Sequence, residues 1–520
     1  MARKKKSKGV LHTAQYPVAG SSRQRGEYLC IIGILLAASI LVLANLGNIY
    51  LWGDEAATAL VSKTILTYGI PMGADHGNFF CQMYGKEVNE HGVWIWHPWF
   101  PFYLVAVFFR IFGISTLTAR LPFALIGIGV VMMNYFYGKL LWRSRRAGVL
   151  AATLLLVSVP FLLLVRQCRY YSPAIFFSIS GLYAYSQMLK GRRLAPAVLG
   201  LSACLLFHTH YVYAATLLAT VIVHSAIYRR DKLRIAILVS ALVTAICIPW
   251  MILFAGMGHT MTEFGSFSAR VSLNMERFGL HIVRHMFTPV LFIVLAVLAG
   301  FWNSRRRGRP WKMDPETAQS LALLVIYILV TIVTLGLTAQ TFFFRYLAPL
   351  IPVFCLISAL ILESSMKLHP AIALAAMVVL AWRGQMPDYL YEITHDYDGP
   401  NEGIVKYLNA HAKRGDVVAV NHENLPIMFY TDLRVICAVS GEDCSSARNA
   451  QWIVLRRFYV TKAELDMTRL LVHNMGESRY ERFTLNYPDT PFENREDPER
   501  HFFRTQESEP RVTIYRRTEE

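Results

Sequence analysis

The chain is 520 residues long, 54% hydrophobic and only 17% charged, with a formal net charge of +17. A charged fraction so far below the roughly 25% of soluble domains excludes an ordinary soluble protein, and the gathering of the apolar residues into long runs makes this a polytopic membrane chain. The positive charge does not point to nucleic acid: Lys and Arg collect in short clusters between apolar runs, "RKKKSK" at 3–8, "RSRR" at 143–146, "KGRR" at 190–193, "RRDKLR" at 229–234 and "RRRGRPWK" at 305–312, which is positive-inside topology.

A basic tail, residues 1–27, precedes the first apolar run, "YLCIIGILLAASILVLANLG" at 28–47. That run matches the roughly 20 residues that cross a bilayer core as a helix. It is too long for a cleavable signal and no small-residue cleavage site follows it. The run gives way to "YLWGDEAATAL" at 50–60, where Asp54 and Glu55 stand side by side at the membrane boundary. A carboxylate in hydrocarbon costs roughly 2.5–3.5 kcal/mol even on insertion scales. The pair is therefore either a solvated loop feature or faces a polar cavity in which it does chemistry.

With the basic clusters fixed on the cytoplasmic side, residues 48–97 form the first outer segment. The others are 166–172, 208–211, 256–285, 340–345 and everything after Trp382. Two apolar runs, 98–112 and 121–141, lie between His97 and Arg143, and two full crossings there would put "RSRR" outside. "HPWFPFYLVAVFFRIFG" is accordingly predicted to lie in or dip into the outer interface, with Pro98 and Pro101 at its start and Arg110 near its end. Later spans include "AGVLAATLLLVSVPFLLLV" at 147–165 and "LALLVIYILVTIVTLGL" at 321–337. The threading predicts an all-α polytopic region at 28–384, with about eleven or more transmembrane helices of roughly 20 residues each and interfacial helices in the outer loops. The amino terminus is placed in the cytoplasm.

After residue 384 the composition changes. "NEGIVKYLNAHAKRGDVVAV" reads as an amphipathic helix, a Gly-Asp turn and a short buried strand; "RVICAV" at 434–439, "QWIVL" at 451–455 and "RVTIYRR" at 511–517 are further strands. Residues 385–520 are thus predicted to form a small extracytoplasmic α/β domain. It carries no glycine-rich phosphate loop, and the chain shows no internal repeat. Of the eight cysteines none stands in a CxxC pair. Cys30, Cys204, Cys247 and Cys355 fall in apolar runs as packing residues, while Cys437 and Cys444 either form a local disulfide or stay free.

Several features recur in a fixed order: the Asp-Glu pair after the first span, a long aromatic outer loop ending in His97-Pro98, then "FGISTLTARLP" (112–122), "RQCRYYSP" (166–173), "FHTHYVY" (207–213) and "FFFRYLAPLIP" (342–352). This ordered set resembles the GT-C superfamily of polytopic glycosyltransferases. It is most similar to glycosyltransferase family 39, with its protein O-mannosyltransferases and lipid A aminoarabinose transferases, from Arg25 to Pro352. The resemblance implies an inverting-type glycosyltransferase of a bacterial plasma membrane. Such an enzyme moves a sugar from a polyprenyl-phosphate donor to an extracytoplasmic acceptor, whether glycan, lipid or protein. It implies Asp54 as the general base, with Glu55 beside it shaping the acceptor site. The Lys-Pro-Pro or His-Pro-Pro of the family stands here as His97-Pro98-Trp99, keeping a cation for the phosphate.

That chemistry asks for a carboxylate to take the acceptor's proton, for cations aimed at the departing phosphate and for apolar and aromatic surfaces around lipid and sugar. His97, Arg166, Arg169 and Arg345 are predicted at the outer ends of helices and supply the second; the arginine fork suits phosphate. Trp96, Tyr170, Tyr171, His208, His210, Tyr211 and Tyr346 line the third. Against this, Arg166 and Arg169 also fit interfacial anchors, and the tryptophans fit an aromatic belt. Glu263 and Arg270 are placed to cap the site from a later outer loop. No cofactor is required; Asp75, His76 and His91 leave a divalent cation open in the first outer loop, without HExxH or other fixed spacing. The alternative, a transporter or flippase of polyprenyl-linked saccharides, calls for inverted repeats and mid-span carboxylates, and the charges here avoid the span centres.

Overall fold

The computed structural model of the chain describes residues 20–255, 267–286, 289–307, 313–458, 461–477, 480–490, 500–507 and 510–518. Most of the basic tail, Glu263 and the end of the last basic cluster lie outside the described residues. Helix α1 (Gly20–Leu43) exposes Leu29, Ile32, Leu36 and Ile40, as a helix that is apolar all round does in lipid. The first outer segment is not an open loop: helix α2 (Gly53–Tyr68) runs through it, followed by a hairpin of β1 (Ala74–Asp75) and β2 (Asn78–Phe79). Helix α3 (Phe100–Phe112) is the predicted interfacial element. Its 13 residues reach about 20 Å, short of a hydrocarbon core of roughly 30 Å.

Helix α4 (Thr116–Trp142) opens with a capping box between Ser115 and Thr118. The apolar run at 147–165 is not one straight span. It splits into α5 (Arg145–Leu156) and α6 (Val159–Val165), which meet at 71°; Pro160 in the first turn of α6 has no N–H with which to continue α5. There follow α7 (Tyr171–Leu189), α8 (Ala195–Phe207), α9 (Tyr211–Tyr228), α10 (Arg230–Ala255), α11 (Phe267–His285), α12 (Pro289–Arg307) and α13 (Pro315–Thr338). A 3₁₀ turn (Phe344–Leu350) leads into α14 (Ile351–Met366), and α15 (Pro370–Arg383) and α16 (Met386–Glu392) complete the region.

Among the described residues six helices are long and apolar enough to cross a membrane, seven if α5 and α6 make one bent span; α3, α8 and α15 are apolar but shorter. The threading of about eleven crossings at roughly 20 residues each, which leaves α3 out as interfacial, requires shorter helices such as α8 and α15 to cross as well. The chain is an integral membrane protein. Its main core lies among α4, α5, α6, α7 and α14, where Tyr135, Tyr137, Phe161 and Tyr185 are fully buried. Small residues let α4 and α5 cross closely: a β-carbon on Gly148 would lie 2.7 Å from the Tyr135 carbonyl.

Beyond residue 399 come α17 (Pro400–His411), β3 (Val417–Val420), α18 (Asn424–Tyr430), β4 (Arg434–Ile436), β5 (Trp452–Leu455), α19 (Lys462–Glu477), β6 (Tyr480–Pro488) and β7 (Arg511–Arg517). The strands form one mixed sheet in the order β4-β3-β5-β7-β6, parallel across the first three and antiparallel thereafter. Strand β6, an edge strand that is mostly exposed or half-buried, is not among the predicted strands although Phe483, Leu485 and Tyr487 alternate with Thr484 and Asn486. Cys437 and Cys444 are free thiols, not a disulfide. This sheet domain is not detached from the rest. Leu60 of α2 and Phe109 of α3 share one core with Ile427, Phe429 and Val435, so α18 lies against the helix that begins at the Asp-Glu pair.

Candidate active site

Asp54 and Glu55 occupy the first turn of α2, where unpaired backbone N–H groups and the helix dipole favour carboxylates. Successive residues on a helix point about 100° apart, and the two carboxylates go to different places. Glu55 is fully buried. Its Oε1 accepts from Arg120 Nε at 2.8 Å and from the Cys168 N–H at 2.7 Å, and its Oε2 accepts from Arg120 Nη2 at 2.6 Å. Arg120 spends its remaining donors on the carbonyls of Leu46 (3.1 Å), Ile49 (2.8 Å) and Tyr50 (3.3 Å). Glu55 is thereby held by Arg120 and ties α2 to α4 and, through Arg120, to the segment that follows α1. Its partner was visible only as the lone arginine inside "FGISTLTARLP", an ionisable group at the start of an apolar run.

Asp54 is a third exposed and meets cations from two distant parts of the chain. Arg345, at the start of the 3₁₀ turn, brings Nη1 to 2.9 Å from Oδ2. Arg169, in the turn after α6, brings Nη2 to 3.6 Å, while its Nη1 donates to the Asp54 carbonyl at 3.1 Å and to Thr58 Oγ1 at 3.0 Å. The Arg345 guanidinium lies over the rings of Phe343 (4.3 Å) and Trp52 (5.8 Å), and Trp52 Nε1 donates to Gln167 Oε1 at 2.8 Å. Thr58, Trp52, Gln167 and Phe343 were not singled out from sequence, because nothing local marks them.

Two phosphate-binding expectations change. Arg166 does not join the cluster: its guanidinium donates to the carbonyls of Leu41 (3.3 Å), Val42 (3.0 Å), Ala44 (2.8 Å) and Asn45 (3.4 Å), so it caps the end of α1. His97 does join, but not as a cation. Burial first, then Arg169 and His210, holds its imidazole well below the usual range; at neutral pH it is an uncharged donor and acceptor. His210 behaves alike, pulled down to about 3 by burial and Arg169. The Nδ1 atoms of both rings are buried without a hydrogen-bond partner among the described residues.

Tyr170 links these groups. Its ring lies 6.3 Å from His97, 4.9 Å from His210 and 5.5 Å from the Arg169 guanidinium, centre to centre, and burial pushes its phenol up. Trp96 borders His97 at 6.4 Å, and Tyr346 lies 6.0 Å from the Arg345 guanidinium, its carbonyl accepting from Tyr213 Oη at 2.9 Å. Tyr171 is fully buried behind Tyr170. His208 turns the other way, 5.2 Å from the Trp250 ring. Tyr211 lies 5.8 Å from His210 and lines an apolar cavity of about 400 Å³ between α8, α9 and α10, with Phe207, Leu218, Val243, Met251 and Phe254. Arg270 donates to Gln340 at 2.9 Å. Asp75 and His76 face each other at 3.7 Å while His91 faces Glu90, and among the described residues no group of three or more His, Cys, Asp or Glu is gathered to hold a metal.

No protein-family model matches the chain, and no curated protein matches it. Solved structures do. ArnT from Cupriavidus metallidurans bound to undecaprenyl phosphate is 13% identical, with a TM-score of 0.55 over 96% of this chain and 98% of that one; in the apo state the same protein gives 0.59 over 95% and 98%. The archaeal oligosaccharyltransferase AglB from Archaeoglobus fulgidus, in complex with an inhibitory peptide and a dolichol-phosphate, is 13% identical, with a TM-score of 0.54 over 91% of this chain and 75% of that one. Likeness at this identity is likeness of fold: the chain shares the fold of ArnT and AglB.

Proposed function

We propose a membrane glycosyltransferase of the GT-C type that moves a sugar from a polyprenyl-phosphate donor to a hydroxyl of an extracytoplasmic acceptor. One observation carries the reading: a half-shielded carboxylate, Asp54, held between Arg345 and Arg169 beside two neutral histidines with unused ring nitrogens. Asp54 takes the acceptor proton as the hydroxyl oxygen attacks the anomeric carbon. The bond from that carbon to the phosphate oxygen breaks, and Arg345 and Arg169 receive the charge left on the lipid phosphate. His97 and His210 supply neutral hydrogen bonds to the sugar or phosphate. With Glu55 committed to Arg120, only one of the paired carboxylates faces the reaction, which suits a single displacement with inversion.

The apolar cavity beyond Tyr211 suits the prenyl chain, and the undecaprenyl phosphate and dolichol-phosphate bound by ArnT and AglB support a lipid phosphate as the donor's carrier. The positive-inside clusters support a cytoplasmic amino terminus, about eleven crossings of roughly 20 residues and an outer sheet domain. The test is purified protein with a panel of labelled undecaprenyl-phosphate sugars and host membranes as the source of acceptor. Wild type consumes a donor and labels a product. Asp54→Asn loses about 10²–10⁴-fold in turnover while inserting and folding normally; full activity in that variant removes Asp54 from the mechanism.

A further inference from the structure

The segment that delivers Asp54 is held from the sheet domain, residue by residue. The Tyr50 N–H donates to Glu402 Oε1 at 2.8 Å and the Leu51 N–H to Tyr430 Oη at 2.9 Å, partners 352 and 379 residues further along the chain. The Tyr50 and Tyr430 rings stack at 4.0 Å, and the same Tyr430 hydroxyl meets Thr116 Oγ1 at 2.7 Å. Helix α2 has no side-chain cap of its own at Trp52.

The sheet domain also approaches Gly53. Glu423 Oε2 lies 3.3 Å from where a β-carbon on Gly53 would stand, so a carboxylate of the sheet domain borders the space that a side chain there would need. Directions on α2 advance by about 100° per residue. The Gly53 position therefore faces Glu423, the next faces Arg169 and Arg345, and the third faces Arg120. Glu423 sits at φ 58°, a conformation rare outside glycine. Behind it, His422 is only 7% exposed. Its Nδ1 is 2.7 Å from Glu464 Oε1, and its Nε2, which makes no hydrogen bond among the described residues, is 3.7 Å from Glu423 Oε1.

We propose that the sheet domain completes the active site, with Glu423, Tyr430 and Glu402 as positioning residues that fix residues 50–53 and so set where the Asp54 carboxylate stands. The activity half of this proposal rests on Asp54 being the base; the structural half does not. The sheet domain is then a working wall of the site and not an appendage for acceptor recognition alone.

Full-length variants in detergent test it in two ways. Hydrogen exchange reads the first: Tyr430→Phe and Glu402→Met each remove the acceptor of one backbone N–H, and exchange in a peptide covering 50–58 rises about tenfold or more. Turnover on the undecaprenyl-phosphate sugar panel reads the second. Glu423→Gln keeps the side chain's shape and removes its charge, and Gly53→Ala crowds its carboxylate. Both lower kcat about tenfold or more while the donor KM stays within about twofold. Exchange at 50–58 that stays at the wild-type rate overturns the proposal, and so does a wild-type kcat in Glu423→Gln, the result a pure packing role predicts. A wild-type protein that consumes no donor overturns the transferase reading alone, and the exchange measurement then decides the positioning claim by itself.

Discussion

Glu55→Gln separates the two carboxylates that stand side by side in sequence. Glu55 has no exposed surface and receives three hydrogen bonds, two from Arg120 and one from the Cys168 N–H. Glutamine keeps the volume and one acceptor oxygen but turns an N–H₂ toward a guanidinium donor and leaves the buried Arg120 charge without its counter-ion. Removing one partner of a buried pair costs about 3–5 kcal/mol. The three carbonyls that Arg120 retains put this case near the lower end, about 3 kcal/mol. At roughly 2 °C per kcal/mol for a large domain, the unfolding midpoint in detergent falls by roughly 6 °C. Turnover is measured per folded molecule, after size-exclusion chromatography removes aggregate, and stays within about threefold of wild type because Glu55 points away from the reacting groups. A midpoint within about 1 °C of wild type combined with a hundredfold loss of turnover would show that Glu55 acts in the chemistry, and would refute the division of roles.

Arg345→Ala removes a charged donor from the phosphate and weakens donor binding by about 1.5–3 kcal/mol, roughly 10- to 150-fold in Kd, read by titration with a labelled donor lipid; an unchanged Kd removes Arg345 from phosphate recognition. Arg166→Ala frees the carbonyls that end α1, so it lowers the unfolding midpoint and leaves the donor Kd as it was, whereas a phosphate ligand would do the reverse. His97 and His210 lie in turns outside the spanning helices, and both are held below the ordinary value. The unfolded chain takes up protons near pH 6.5 that the folded chain refuses. Their contribution to stability is therefore complete above that pH and is lost as pH falls toward the folded value, about 3 for His210. Unfolding midpoints measured from pH 7 to 5 should decline, and the His97→Asn, His210→Asn double variant should flatten the decline; an identical slope would exclude these rings as its source.

Much of the scaffold could be read from residue order. Hydropathy and the basic clusters separate membrane from water along the chain, and that partition is set residue by residue. The strands at 434–436, 452–455 and 511–517 show as β-branched or aromatic runs bounded by turn residues, and β6, a partly exposed edge strand, carries a period-2 pattern of Phe483, Leu485 and Tyr487 that sequence prediction passed over. Gly53 and Pro160 show what one letter conceals. Pro160 sits inside an unbroken apolar run yet folds it by 71°; Gly53 reads as a helix start until a carboxylate 370 positions later is found bordering its side-chain space.

Within the site, residue type could be read and residue direction could not. The sequence by itself determined that carboxylates, arginines, histidines and aromatic residues stand at the ends of apolar helices. Only the tertiary structure decided that Asp54 meets Arg169 and Arg345 while Glu55 meets Arg120, that Arg166 caps α1, and that His97 is uncharged. The reason is physical. A helix turns its side chains about 100° per residue, so neighbours in sequence face different surroundings. A buried group's charge and partners depend on whatever the rest of the fold brings to that side.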